Sequence, residues 1–221
     1  MIYLIGLGLD LKDISLKALE TIKKCKKIYL DNYTSKFPYS VKDLEKIIKK
    51  KVILANRNLI ESDQLLKEKN IAILVYGDPL SATTHINFLR DTKTKVIHAS
   101  SIITAVAESE LSLYKFGKIT SLPEWKENFR PTSFIDIIKK NFSIGAHTLL
   151  LVDIGMSSEK ALDQLEQVAK NFIKEIIIIS RAGTKDQKIF RGSISKLKNS
   201  KIKEPFCIII PSRLSYGESK Q

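Results

Sequence analysis

The sequence is poor in the residues that would make it a disulfide-bonded, metal-binding or membrane protein. Of its 221 residues, only two are cysteine, three histidine and one tryptophan. Cys25 and Cys207 are far apart and lack metal-ligand spacing, so they read as free thiols of a reducing compartment, which implies the cytoplasm. His85, His98 and His147 do not pair at ligand spacing, so no metal is expected. No apolar run reaches the roughly 18 residues of a membrane span, so no membrane partner is expected. Met1 to Asp10 has no basic flank or small-residue cleavage site and reads as a first strand rather than a signal peptide. There is no Gly-x-Ser-x-Gly elbow, and neither cysteine has the surroundings of a nucleophile. The sequence therefore does not suit hydrolysis by a visible acid–base pair.

What is abundant is lysine. With Lys+Arg at 37 and Asp+Glu at 24, the formal net charge is +13. That charge suits nucleic acid. However, the lysines are scattered over helices and turns and not interleaved with aromatic residues, as a base-stacking surface would require. No zinc-finger, KH or RRM signature occurs. Nucleic-acid contact thus fits the charge but has no motif behind it, and an acidic protein partner fits equally well.

Short apolar strands alternate with helical patterns, which predicts an α/β fold with mainly parallel sheets. Strands are expected at Ile2–Ile5, Lys27–Leu30, Val52–Leu54, Ile71–Val75, Val96–Ile97, Thr148–Val152, Ile176–Ile179 and Cys207–Ile210. Helices are expected from a cap at Asp13, then at Val41–Lys50, Asp63–Lys69, Ile102–Ser109, Phe134–Lys140 and Ser158–Phe172. The alternation pauses around Tyr114 to Lys118 and among Pro123, Pro131 and Ser133. This divides the chain into residues 1–110 and 111–221, each an α/β domain. The last ten residues read as a frayed tail.

Three strand-end loops could carry chemistry. Gly6-Leu7-Gly8-Leu9 permits a sharp turn and close approach to the main chain. It lacks the third glycine of a dinucleotide fingerprint, because position 11 is leucine. Asp31 closes the second strand, either as a ribose-binding acid or as a surface carboxylate. Gly77-Asp78-Pro79 fixes Asp78 at the carboxyl edge of the sheet, where open α/β sheets bind ligands. Ser81, Thr83 and Thr84 follow as helix caps that could border the same site. Ser100-Ser101-Ile102 opens a helix whose free amides could meet a ligand, or which Ser101 simply caps.

Taken together, these loops resemble the diphthine synthase family of tetrapyrrole-methylase-like (class III) S-adenosylmethionine enzymes. The resemblance runs nearly end to end through YLIGLGL, DNYTS, YGDPLSATTH, IHASSI, LYKFGK, FRPTSFIDIIKKN, HTLLLVDI and SRAGTKDQKI. It implies two α/β domains of the tetrapyrrole methylase type with S-adenosylmethionine in the cleft between them, S-adenosylhomocysteine as product, and a homodimer. It assigns cofactor contacts to Leu9, Asp78, Ser81, Ser101, Ile102, Val152 and Ala182. A family histidine before the last strand falls on Phe206 or Cys207, and Cys207 is taken as the contact. The family usually has valine at Ser81 and leucine at Val152.

The implied activity is methyl transfer to the amine of the 3-amino-3-carboxypropyl group on a histidine of translation elongation factor 2. Archaeal members stop at the trimethylamine and eukaryotic members also esterify the carboxylate; the short chain fits the archaeal pattern. No catalytic residue is assigned. The alternative is another class III methylase, acting on a tetrapyrrole or ribosomal RNA ribose, which would share Gly77-Asp78-Pro79; LYKFGK and PTS argue against it. A nicotinamide oxidoreductase built on Gly6-x-Gly8 and a non-catalytic RNA-binding module are the readings from other classes.

Overall fold

The computed structural model describes residues 1–62, 64–91 and 93–218. The chain divides into two compact units, Met1–Ile102 and Ile103–Gln221. The sequence places the division near 110. The difference arises because the turn at Val106–Ser109 belongs with the second unit. There the Ser109 carbonyl and Glu110 carboxylate both accept from Arg191 Nη2.

The first unit contains β1 (Ile2–Gly6), α1 (Leu16–Lys24), β2 (Lys27–Asp31), α2 (Val41–Ile48), β3 (Ile53–Ala55), α3 (Arg57–Ile60), α4 (Gln64–Lys67), β4 (Ile71–Val75), α5 (Ile86–Asp91) and β5 (Thr94–Ile97). Asp63, where a helix was expected to begin, lies outside the described residues. Every strand pairs in parallel, in the order β3-β2-β4-β1-β5. β4 is buried along its whole length. Its unbroken run Ile71-Ala72-Ile73-Leu74-Val75 is what a strand covered on both faces requires. Ile5, Ile28, Leu30, Ala72 and Leu74 meet Ala18, Ile22, Leu44 and Ile48 of α1 and α2. Ile2, Leu4, Tyr29, Ile71 and Ile73 meet Ile60, Leu65 and Phe88 on the other face. Each buried Ile, Leu or Phe among them stabilises the fold by about 1.5–3 kcal/mol.

Asp13 does not cap α1. Ser15 does, its Oγ accepting from Ala18 N at 3.1 Å. Asp13 instead ends a 3-10 turn that Asp10 caps, which releases its carboxylate toward the site.

The second unit contains α6 (Ile102–Ala105, whose first residue closes the first unit), β6 (Thr120–Leu122), α7 (Ser133–Ser143), β7 (Thr148–Val152), α8 (Ser158–Ala169), β8 (Ile176–Ser180), β9 (Lys188–Gly192), α9 (Ile194–Leu197) and β10 (Phe206–Ile210). The helix expected over Ile102–Ser109 is one α turn followed by a 3-10 turn. The sheet order is β6-β7-β10-β8-β9. Only β6–β7 is parallel; β10 runs against β7 and β8, and β8 against β9. The expectation of mainly parallel sheets thus holds for the first unit, whereas the second sheet is mixed. β9 is half-exposed and rich in charge, so it carries little of the apolar signal that marks a buried strand.

The segment after β10 is not frayed as far as Glu218. That carboxylate accepts from Ser112 N, Ser215 N, Ser215 Oγ and Lys115 Nζ at 2.7–2.9 Å. His147 Nε2 lies 3.1 Å from it. LYKFGK supplies Lys115 to this cluster. Gly117, packed against Asn141, leaves no room for a side chain: an added Cβ would sit 2.3 Å from Asn141 Oδ1. Residues 219–221 lie outside the described residues.

Candidate functional site

In the first sheet the chain moves from β1 outward to β2 on one side, while β5 lies on the other side of β1. The carboxyl ends of β1 and β4 therefore flank the point where strand order reverses, the usual ligand crevice of an open α/β sheet. Both glycine loops lie there. Gly8 N donates to Gly77 O (3.3 Å) and Gly77 N to Gly8 O (2.9 Å), joining them as a short antiparallel bridge. Gly6 has no room for a side chain, because a Cβ would lie 2.7 Å from both Gly77 O and Ala99 Cβ. Gly77 has φ +83, and the nearest atom to an added Cβ is Ser100 O at 3.9 Å. The turn therefore leaves open space over its main chain, as a ligand held by backbone groups needs.

Side chains brace the loops. Leu9 N donates to Asp13 Oδ2 (3.0 Å) and lies 3.3 Å from Ser100 Oγ, which itself donates to Asp13 (3.0 Å). Tyr76 OH donates to Leu9 O at 3.0 Å. Asp78 Oδ1 accepts from Leu80 N (2.9 Å) and Ser81 Oγ (3.4 Å). Asp78 Oδ2 accepts from Ala99 N (3.1 Å) and faces His98 Nδ1 at 2.8 Å. Burial pushes the Asp78 carboxyl up, but the donors from Leu80, His98 and Ala99 outweigh it and hold the group below its ordinary range. Asp78 is thus an ionised strut between two loops. Ser101 is buried and Ile102 half-buried beside it. The helix they open is a single turn, so any ligand there would meet individual amides rather than a long helix dipole.

The structure therefore gathers Leu9, Asp78, Ser81, Ser101 and Ile102 at one sheet edge. Thr83 Oγ1 donates to Pro79 O at 2.5 Å and accepts from His85 N, just ahead of α5, at 3.3 Å, so it shapes the loop that enters the helix. Asp31 is no ribose ligand. It is 1 % exposed and accepts from Tyr33 N (2.7 Å), Thr34 N (3.1 Å) and Thr34 Oγ1. His85 Nε2 lies 3.3 Å from Asp31 Oδ2, with both side chains fully buried. Among the described residues, neither His85 nitrogen makes a hydrogen bond. Burial pushes the His85 pKa down, and the Asp31 charge opposes it only in part.

The remaining expected contacts belong to the second unit. Val152 ends β7, and Ala182 follows β8 after Arg181, whose φ is +53. Cys207 lies inside β10 opposite Leu151 and Ile179. Because β10 opposes both neighbours, these three positions share one edge of the second sheet. Burial pushes the Cys207 thiol up to about 12, so it is not a thiolate nucleophile.

Sequence reasoning did not identify Asp13, Tyr76, His98 or Ser100 as braces. Asp13 and Ser100 are separated by 87 positions, and no local pattern links them. Glycine turns with open main chain, hydroxyls, and the carboxylates of Asp13 and Asp78 fit a sulfonium donor bound largely through backbone.

Comparison with known proteins agrees. The tetrapyrrole (corrin/porphyrin) methylase family matches residues 1–198. Diphthine methyl ester synthase of Schizosaccharomyces pombe is 39% identical over 249 residues, covering 95% of this chain and 88% of its own. The Homo sapiens protein of that name is 36% identical over 253 residues, covering 95% and 89%. A diphthine synthase crystal structure superposes with a TM-score of 0.88 at 31% identity, covering 99% of this chain and 93% of the other. These curated relatives are eukaryotic. The chain belongs to the tetrapyrrole methylase family, among its diphthine synthase members.

Proposed function

We propose that the chain is an S-adenosylmethionine-dependent methyltransferase of diphthamide biosynthesis. It methylates the amine of the 3-amino-3-carboxypropyl group on a histidine of translation elongation factor 2. The observation that carries this reading is the convergence of the Gly6–Leu9, Gly77–Ser81 and Ala99–Ile102 loops at the switch point of a parallel sheet. It occurs in a chain whose relatives are named diphthine methyl ester synthase. That name supports a final transfer to the carboxylate as well. A tetrapyrrole or ribosomal RNA ribose as acceptor has no comparable support.

When bound, S-adenosylmethionine supplies an electrophilic methyl group on a sulfonium. Leu9, Asp78, Ser81, Ser101, Ile102, Val152, Ala182 and Cys207 are the proposed donor contacts, with Asp78 acting through the loops it braces. The acceptor must be a neutral amine. An α-amino group with a pKa near 8 is about one-tenth neutral at pH 7, a deficit of roughly 1.4 kcal/mol. Alignment of amine and methyl supplies on the order of 7–11 kcal/mol. Alignment far outweighs the protonation deficit, so positioning carries catalysis and no dedicated base is assigned. We take the enzyme to act in the cytoplasm as a homodimer.

Mass spectrometry of the treated factor tests this. Methyl groups should accumulate on the modified histidine only, and mild base should remove the last of them, as it hydrolyses an ester but not a quaternary ammonium. Base-stable methylation throughout would exclude the ester product.

A further inference from the structure

We propose that the edge at which the five strands of the first sheet begin is a docking surface for the phosphate backbone of a nucleic-acid duplex. Several lysines of the first unit that are scattered in sequence meet in the fold, although Lys12, Lys17 and Lys42 lie at the other end of the unit. Because every strand is parallel, all five starts lie on one edge, and the intervening helices end there. Backbone contacts join the starts into one surface. Lys26 N donates to Asn70 O (2.7 Å), Asn70 N to Met1 O (2.8 Å) and Ile2 N to Lys93 O (3.3 Å). Asn70 Nδ2 reaches Lys24 O at 2.9 Å, and Lys50 Nζ reaches Cys25 O at 2.5 Å. Lys24, Lys26, Lys49, Lys67, Lys69 and Lys93 are all exposed along it, and among the described residues none has an ion-pair partner. Lys27 and Lys51 beside them are engaged with Glu68 and Glu45.

The ordinary explanation is that cations complement helix C-termini. It covers Lys24 and Lys67, in the last turns of α1 and α4, and Lys49, the C-cap of α2. It does not cover Lys26, Lys69 and Lys93, which lie beyond the helix ends at the strand starts. Four strand spacings of about 4.8 Å make the edge roughly 19 Å long. A duplex carries one charge per about 1.7 Å, so a length matching the edge carries about 11 phosphates, enough to engage every one of these lysines. The exposed large aromatic side chains, Tyr114, Phe129 and Tyr216, all belong to the second unit. Among the described residues of the first unit no Phe, Tyr or Trp side chain is exposed, so the lysine edge offers no exposed ring for unpaired bases to stack on or to anchor in a membrane interface. The carboxylates Asp13 and Asp78 lie at the opposite ends of strands about 16 Å long. That exceeds the Debye length of about 8 Å in physiological salt, so phosphate docking and cation binding can coexist.

The test is fluorescence anisotropy with labelled RNA and DNA duplexes of about 16 base pairs, titrated over a range of salt. Replacing Lys26, Lys49, Lys69 and Lys93 together by alanine should weaken binding at least tenfold and flatten the log–log salt slope by about 3–4. Replacing Lys118, Lys126, Lys140 and Lys185 of the second unit removes equal charge and should change neither. S-adenosylhomocysteine affinity should be unaltered in both variants, which confirms folding and separates this surface from the methylase reading. The RNA and DNA arms identify which duplex is preferred. Equal loss in both variants, no binding by the wild type, or equal competition by a polyglutamate peptide or phosphatidylserine vesicles would overturn the proposal.

Discussion

His98 Nδ1 lies 2.8 Å from the Asp78 carboxylate, whose side chain is 10% exposed where that of His98 is 69% exposed. One carboxylate thus fixes the turn after β4 against the segment after β5. Asp78→Ala removes charged hydrogen bonds worth about 1.5–3 kcal/mol. It should weaken S-adenosylhomocysteine binding by tenfold or more in titration calorimetry. Unchanged affinity would remove Asp78 from the site. The Asp78 pKa is depressed, so this bracing is fully present above the usual carboxylate pKa near 3.9 and is lost only as pH falls below it.

Gly6→Ala tests the packing beneath the same loops. Its Cβ would press on Gly77 O and Ala99 Cβ at 2.7 Å, an overpacking that costs about 1–3 kcal/mol. Urea unfolding should shift by that amount, and donor affinity should fall with it, because both loops move.

Acid sensitivity should come from buried imidazoles. His147 is fully buried; its Nδ1 accepts from Ser212 N at 2.9 Å. Burial pushes its pKa down, more than Glu218 raises it. His85 is lowered likewise. Unfolding lets both bind protons below about pH 6.5, so stability should be full above that value and fall as pH drops through it. Urea midpoints measured from about pH 7.5 to about pH 5 should show this decline, and it should be smaller in His147→Gln.

Glu218 should anchor the chain end. Burial raises its pKa, but the donors from Ser215, Lys115 and Ser112 outweigh it and hold it far below the usual range. Glu218→Ala leaves Lys115 and His147 without this partner. By the general cost of breaking a buried pair it should destabilise by about 3 kcal/mol. Limited proteolysis after Pro211 should accelerate in this variant.

Much of this was legible in sequence where the cause is local. The unbroken apolar run of β4 and the glycine-proline turn after it mark a buried strand and a rigid bend, and both are present. Leu9, Asp78, Ser81, Ser101 and Ile102 end at one edge because parallel strands must place their carboxyl ends together. Asp31 misled because a carboxylate at a strand end looks the same whether it faces solvent or folds back on Tyr33 and Thr34. LYKFGK marked the family, but its Lys115 and Gly117 serve packing around Glu218 and Asn141. β9 escaped notice because a charged hairpin strand lacks alternation. The lysine edge was hidden because Lys26, Lys69 and Lys93 meet only through sheet order.

The most direct measurement is transfer of a labelled methyl group from S-adenosylmethionine to elongation factor 2. Label should appear on factor bearing the aminocarboxypropyl-histidine and be absent from unmodified factor, with Asp78→Ala strongly slowed. Equal labelling of both factors, or none of either with an active donor-binding protein, would contradict the account.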